Sequence, residues 1–159
     1  MRRHVMNYRN IIVAVDNDEA NALICGRADE LARALGAKLH LIYIMEPLPP
    51  LASAGAVGGA PFPLEADDEE YQVALHSARE TLTELAQRFS ATITSHEVIE
   101  APGTRAAIHE AATSMGADLI IAGSHGRHGL SLLFHGSTTS ALLHDAPCDV
   151  LAVRITENK

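Results

Sequence analysis

Apolar residues fall along this chain in two rhythms. Unbroken runs at Asn10–Val15 (NIIVAV), Lys38–Met45 (KLHLIYIM), Asp118–Ala122 and Asp149–Val153 (DVLAV), and a more alternating stretch at Ala91–Val98 (ATITSHEV), read as strands. Between them apolar positions recur every three or four residues, which is the helical spacing. Ile24, Ala28, Leu31 and Leu35 form one such stripe, with turn and N-cap chemistry at Asn17-Asp18 before it and Gly36 as its stop. Leu75, Ala78, Leu82, Leu85 and Phe89 form a second within about residues 66–89. Ile108, Ala112 and Met115 form a third, with Thr104 as the expected cap and Gly116 as the stop. A short helix is expected over Ser137–His144, broken by Asp145-Ala146-Pro147. Five strands alternating with four helices predict an α/β three-layer sandwich with a mainly parallel sheet and right-handed crossovers.

The 159 residues suffice for one compact domain, 1–159, in which residues 1–8 are an N-terminal extension. Residues 46–65 hold Pro47, Pro49, Pro50 and the segment ASAGAVGGAPFP, and are expected to be a long variable loop. The acidic run EADDEE beyond it is read as solvated charge favouring a helix N-terminus. No apolar run approaches the roughly 20 residues that span a bilayer, so no membrane contact is expected. Ile11–Val15 is too short for a signal peptide's apolar region, and the expected location is the cytoplasm. A formal charge of −8, with only Lys38 and Lys159 as lysines, argues against nucleic acid as a partner. Cys25 and Cys148 lack metal-site or redox spacing and read as reduced structural thiols.

The fourth strand runs directly into GSHGRHGLSLLFHGSTT, residues 123–139. In a parallel sheet, ligands gather beyond the carboxyl ends of the strands where strand order reverses, and two features stand at such ends: Asp16 and Gly123. Glycines admit phosphate oxygens close to backbone amides, and a helix opening at Gly136-Ser137 would aim its N–H groups at the same anion. The segment reads as a phosphate cradle. Arg127 is the only Arg or Lys between Arg105 and Arg154, and is either an anion contact or a solvated loop residue. Asp16 likewise is either a ligand group or an N-cap. The chain has no Gly-Lys-Ser/Thr Walker loop and no GxGxxG after its first strand. His125, His128 and His135 lack a metal-ligand spacing, so no metal site is assigned to protein side chains. No Lys near the loop and no Ser-His-Asp set suggests catalysis, so no catalytic residue is assigned.

The glycine spacing resembles the nucleotide motif of the universal stress protein family: glycine, two residues, glycine, nine residues, glycine, then a hydroxyl residue. Here it is Gly123, Gly126, Gly136 and Ser137. NIIVAVDNDEAN, LHLIYIMEP, GADLIIAGSHGRHGL and APCDVLAVR extend the resemblance over nearly the whole chain, apart from residues 48–65. Asn17-Asp18 departs from the Gly-Ser of many relatives.

The resemblance implies an adenine nucleotide alpha hydrolase-like fold with strand order 3-2-1-4-5 and ATP, ADP or AMP as the ligand, with or without Mg2+. It implies that Asp16 meets ribose hydroxyls or helps hold magnesium, itself bound largely by phosphate oxygens. Backbone at Ala14, Val15 and Ile44 would border the adenine, with Ala122 on its other side. Gly123 and Gly126 would line the ribose and phosphates with His125 and Arg127 nearby, and Gly136, Ser137, Thr138 and Thr139 would bind the phosphate chain. A homodimer through antiparallel pairing of the last strand is also implied, consistent with an apolar edge strand that would otherwise be uncovered.

The function expected is an ATP-binding stress-response or regulatory module with at most slow hydrolysis, acting on an unidentified protein partner. One alternative is a relative that acts through protein contacts without nucleotide. Another is an ATP-pyrophosphatase-type enzyme, disfavoured because VDNDEAN stands where such enzymes carry a Ser-Gly-Gly or His-Ile-Gly-His signature.

Overall fold

The computed structural model describes residues 8–47, 68–125, 142–143 and 145–155. Five strands, β1 (Asn10–Val15), β2 (Lys38–Met45), β3 (Ile93–Glu100), β4 (Leu119–His125) and β5 (Asp149–Ile155), form one sheet in the order β3-β2-β1-β4-β5. Every pairing in it is parallel. The helices are α1 (Asn21–Leu35), α2 (Asp68–Arg88) and α3 (Thr104–Ser114). The expected three-layer α/β sandwich and its strand order are therefore both found.

Alternate residues of each strand feed two cores, which is why the central strands are apolar on both faces. On one face Ile11, Val13, Val15, Leu39, Leu41, Leu119 and Ile121 pack under α1 and α2, which contribute Ile24, Ala28, Ala32, Leu82 and Leu85. On the other, Ile12, Ala14, Ile42, Ile120 and Ala122 pack under Ile108, Ala111 and Ala112 of α3, together with Leu142. Each fully buried aliphatic side chain contributes roughly 1.5–3 kcal/mol to this arrangement. Both edge strands, β3 and β5, are largely exposed.

Several boundaries differ from the sequence expectation. Helix α1 begins at Asn21 with Ala20 as an N-cap that makes no side-chain bond; Asp18 instead closes a turn before it, accepting the Ala20 N–H at 2.8 Å. Thr104 is the first residue of α3, and its hydroxyl donates to Glu46 at 3.3 Å; Gly103 holds the cap position. Strand β3 starts two residues late because the Thr92 and Ile93 amides still bond the Phe89 carbonyl at the exit of α2, both at 3.2 Å. Asp118 precedes β4 and ties down β1, its carboxylate accepting the Arg9 and Asn10 amides at 2.8 and 3.2 Å. Gly36 ends α1 in the left-handed conformation, as its position suggested. The fourth helix and the 46–65 loop lie largely outside the described residues.

Candidate functional site

The cleft is made by strand length. Strand β1 pairs with β4 only from Ile11↔Leu119 to Ala14↔Ala122. On its other side β1 stays paired with β2 through Val15↔Tyr43, and β4 stays paired with β5 through His125↔Ile155. Beyond Ala14 and Ala122, then, the two middle strands part while each keeps its outer neighbour. This is also where strand order reverses: α1 leaves β1 across one face, and α3 delivers β4 from the other.

Of the residues proposed from sequence, Ala14 and Ala122 face each other across the last rung before the split, both buried on the α3 face. Ile44 lies on that same face, half-buried near the end of β2. Val15 turns the other way, into the α1 core, so only its main chain is available to a ligand.

Gly123, which the resemblance implies lines the ribose and phosphates, has a packing role in the fold. A Cβ there would stand 2.6 Å from Ile24 Cδ1 and 2.8 Å from Ile155 Cδ1. The hydrogen of Gly123 admits α1 and the end of β5 against the sheet. His125 and Ser124, read from sequence as loop, continue β4. Gly126, Arg127, Gly136, Ser137, Thr138 and Thr139, and with them the proposed phosphate cradle, lie outside the described residues.

Asp16 stands half-buried one residue past β1. Its Oδ1 accepts the Asp18 N–H at 3.0 Å, which orients the carboxylate within its own turn. Its main chain is gripped by Asn21: the Asn21 amide donates to the Asp16 carbonyl at 2.6 Å, and the Asp16 N–H donates to Asn21 Oδ1 at 3.3 Å. Asn21 is 4% exposed. Tyr43, level with Val15 on β2, has its phenol pKa pushed up by burial and by the negative charge of Asp16.

Sequence reasoning overlooked Asn21 and Tyr43. The signal for Asn21 was there: it stands three residues before Ile24, so a polar amide falls in phase with the buried stripe of α1. Among the described residues no group of three or more His, Cys, Asp or Glu side chains is arranged to hold a metal, and no helix is long and apolar enough to cross a membrane. Both cysteines are free thiols; burial pushes the Cys25 pKa up to about 12.

Comparison with known proteins agrees with this architecture. The profile of the Universal stress protein family matches residues 7–154. Universal stress protein A homolog 2 of Coxiella burnetii is 38% identical over 150 residues, covering 94% of this chain and 97% of that protein. Among solved structures, a universal stress protein in complex with cAMP is similar with a TM-score of 0.67 at 20% identity, covering 94% of this chain and 99% of the other. The universal stress protein from Archaeoglobus fulgidus in complex with dAMP is similar with a TM-score of 0.58 at 18% identity, covering 93% and 99%.

Proposed function

The chain belongs to the universal stress protein family, and from that premise we propose that it is an ATP-binding regulatory module whose nucleotide lies in the split between β1 and β4. The observation that carries this reading is the parting of the β1–β4 ladder beyond Ala14↔Ala122, with Asp16 at its edge and the Gly123, Gly126, Gly136, Ser137 spacing continuing from β4. Two solved structures of the same fold, one in complex with cAMP and one with dAMP, support an adenine nucleotide as the ligand class.

In this reading the adenine lies between Ala14, Val15 and Ile44 on one side and Ala122 on the other. The Asp16 carboxylate accepts ribose hydroxyls or assists a magnesium ion held mainly by phosphate oxygens. Gly123, His125, Gly126 and Arg127 border the ribose and phosphates; Gly136 to Thr139 bind the phosphate chain through amides and hydroxyls. Hydrolysis is slow, and occupancy is the signal. The protein acts in the cytoplasm as a homodimer paired through β5 and passes its state to a protein partner. Mass spectrometry of nucleotide carried through purification, followed by titration of ATP and AMP with and without magnesium, tests the reading. Absence of binding at millimolar ligand refutes it.

One observation favours a second reading, in which protein contacts alone carry the function. Gly123 is needed for packing whether or not nucleotide binds, so its presence does not by itself require a ligand. Gly136→Val separates the two: unchanged behaviour in vitro and in cells favours the second.

A further inference from the structure

Past the end of β1 the N–H and C=O of Asp16 fall on the β4 side, in phase with Asn10, whose carbonyl accepts from Asp118; there the register ends at Ala14↔Ala122, and side-chain partners take over. Asn21 supplies both of them from one side chain, donating at 2.6 Å and accepting at 3.3 Å. A side-chain amide gives a hydrogen from one atom and takes one at another; a hydroxyl has one oxygen for both, and an ionised carboxylate cannot donate. The grip is rigid because Asn21 is buried in the first turn of α1 and its own N–H bonds the Asp18 carbonyl at 3.1 Å. The Asp18 N–H then fixes the carboxylate of Asp16, and the Asp18 carboxylate fixes the Ala20 N–H, so the turn from strand to helix is closed at each step.

We infer that Asn21 is the positioning residue that lets Asp16 discriminate nucleotides by their ribose hydroxyls, holding the carboxylate where it can accept from a vicinal diol at the split between β1 and β4. The inference rests on the nucleotide reading above. Asn21 is buried and contacts Asp16 through its main chain, so its effect on a ligand is exerted through the Asp16 carboxylate. Removing it takes away two of the hydrogen bonds that hold the Asp16 peptide, and hydrogen bonds to a charged acceptor weaken steeply with misalignment.

The test is calorimetric titration of ATP and of 2′,3′-dideoxy-ATP into the wild-type chain, Asn21→Ala, Asp16→Ala and the double variant, each shown folded by circular dichroism. Wild type is expected to prefer ATP by about tenfold, the worth of a charge-assisted hydrogen bond. Asn21→Ala should bring the ratio toward parity with dideoxy-ATP affinity retained, and should cause no further loss of selectivity in the Asp16→Ala background. If Asn21→Ala does not fold, Asn21→Ser, which keeps at most one of the two contacts, takes its place with the same expectation in weaker form. A variant that keeps the wild-type ratio, or that loses affinity equally for both ligands, overturns the inference, the second result marking a purely structural role. A wild-type chain that binds both ligands equally overturns it and leaves the nucleotide reading standing. A wild-type chain that binds neither overturns both.

Discussion

Replacing Gly123 by alanine probes the closest packing at the cleft. The added methyl would stand 2.6 Å from Ile24 Cδ1, 3.4 Å from Ile24 Cγ1 and 2.8 Å from Ile155 Cδ1. Carbon atoms rest at about 3.5–4.0 Å, so each terminal methyl must retreat by about an ångström. Ile155 is half-buried on the exposed edge strand and has room to turn. Ile24 is 3% exposed, enclosed by the α1 core, and has little. Gly123 is not among the glycines with positive φ, which among the described residues are Gly36 and Gly116, so the cost is overpacking without backbone strain. Overpacking of this kind costs about 1–3 kcal/mol. In a domain of this size each kcal/mol lowers Tm by about 2–4 °C.

Thermal unfolding of Gly123→Ala, Ile24→Val and the pair measures it. Ile24→Val alone should cost about 0.5–1.5 kcal/mol through its lost methyl. Combined with Gly123→Ala it removes the clashing Cδ1, so the pair should lose less stability than the two single losses added. Wild-type stability in Gly123→Ala, or strictly additive losses in the pair, would refute the packing argument.

The His40 imidazole has its pKa lowered by burial and by the charge of Lys38, against an opposing pull from Glu97. The folded chain thus takes up this proton less readily than the unfolded one, so His40's contribution is full above the ordinary histidine range and is lost as pH falls through about 6.5 toward the lower folded value. Tm recorded from pH 7.5 to 5 should fall less in His40→Gln than in wild type; parallel profiles would exclude His40. Thr92 is buried and donates its hydroxyl to Asp29 Oδ1 at 2.5 Å, while Arg33 bonds Asp29 Oδ2 at 2.7 Å. Thr92→Val should cost about 1–3 kcal/mol by leaving a buried carboxylate oxygen without its donor, and Thr92→Ser should restore most of it; equal chemical-denaturation midpoints for the Val variant and wild type would contradict this. Val150→Lys, with the exposed Leu151 retained, should shift a β5-paired homodimer to monomer in sedimentation velocity; an undiminished dimer moves the interface elsewhere.

The middle of the sheet was legible because its central strands are wrapped on both faces. Runs such as IIVAV and LIYI carry no helical period, and the stripes between them do, so element types and their alternation follow from burial alone. Ends were less legible because they are settled by single polar contacts. Asp118 looks like the first residue of an apolar strand, yet its carboxylate is spent on the Arg9 and Asn10 amides of β1, over a hundred positions away in sequence. Asp18 looks like a helix cap, yet bonds the Ala20 N–H in a turn that precedes the helix. At the site, β4 runs on to His125, three residues past the expected end at Ala122, whereas the end of β1 could be placed from spacing, and Asp16 with it. The reason for Gly123 could not: its neighbours Ile24 and Ile155 lie far along the chain in opposite directions and meet only in the fold.

Strand β4 is an interior strand at its base and, on the side of β1, an edge at its tip. The gap this leaves is drawn by where a hydrogen-bonded ladder stops, so its outline depends on backbone length and very little on which side chains flank it. Such a recess can keep its shape while the residues around it drift, and a lineage can retune what it holds by exchanging neighbours without rebuilding the frame.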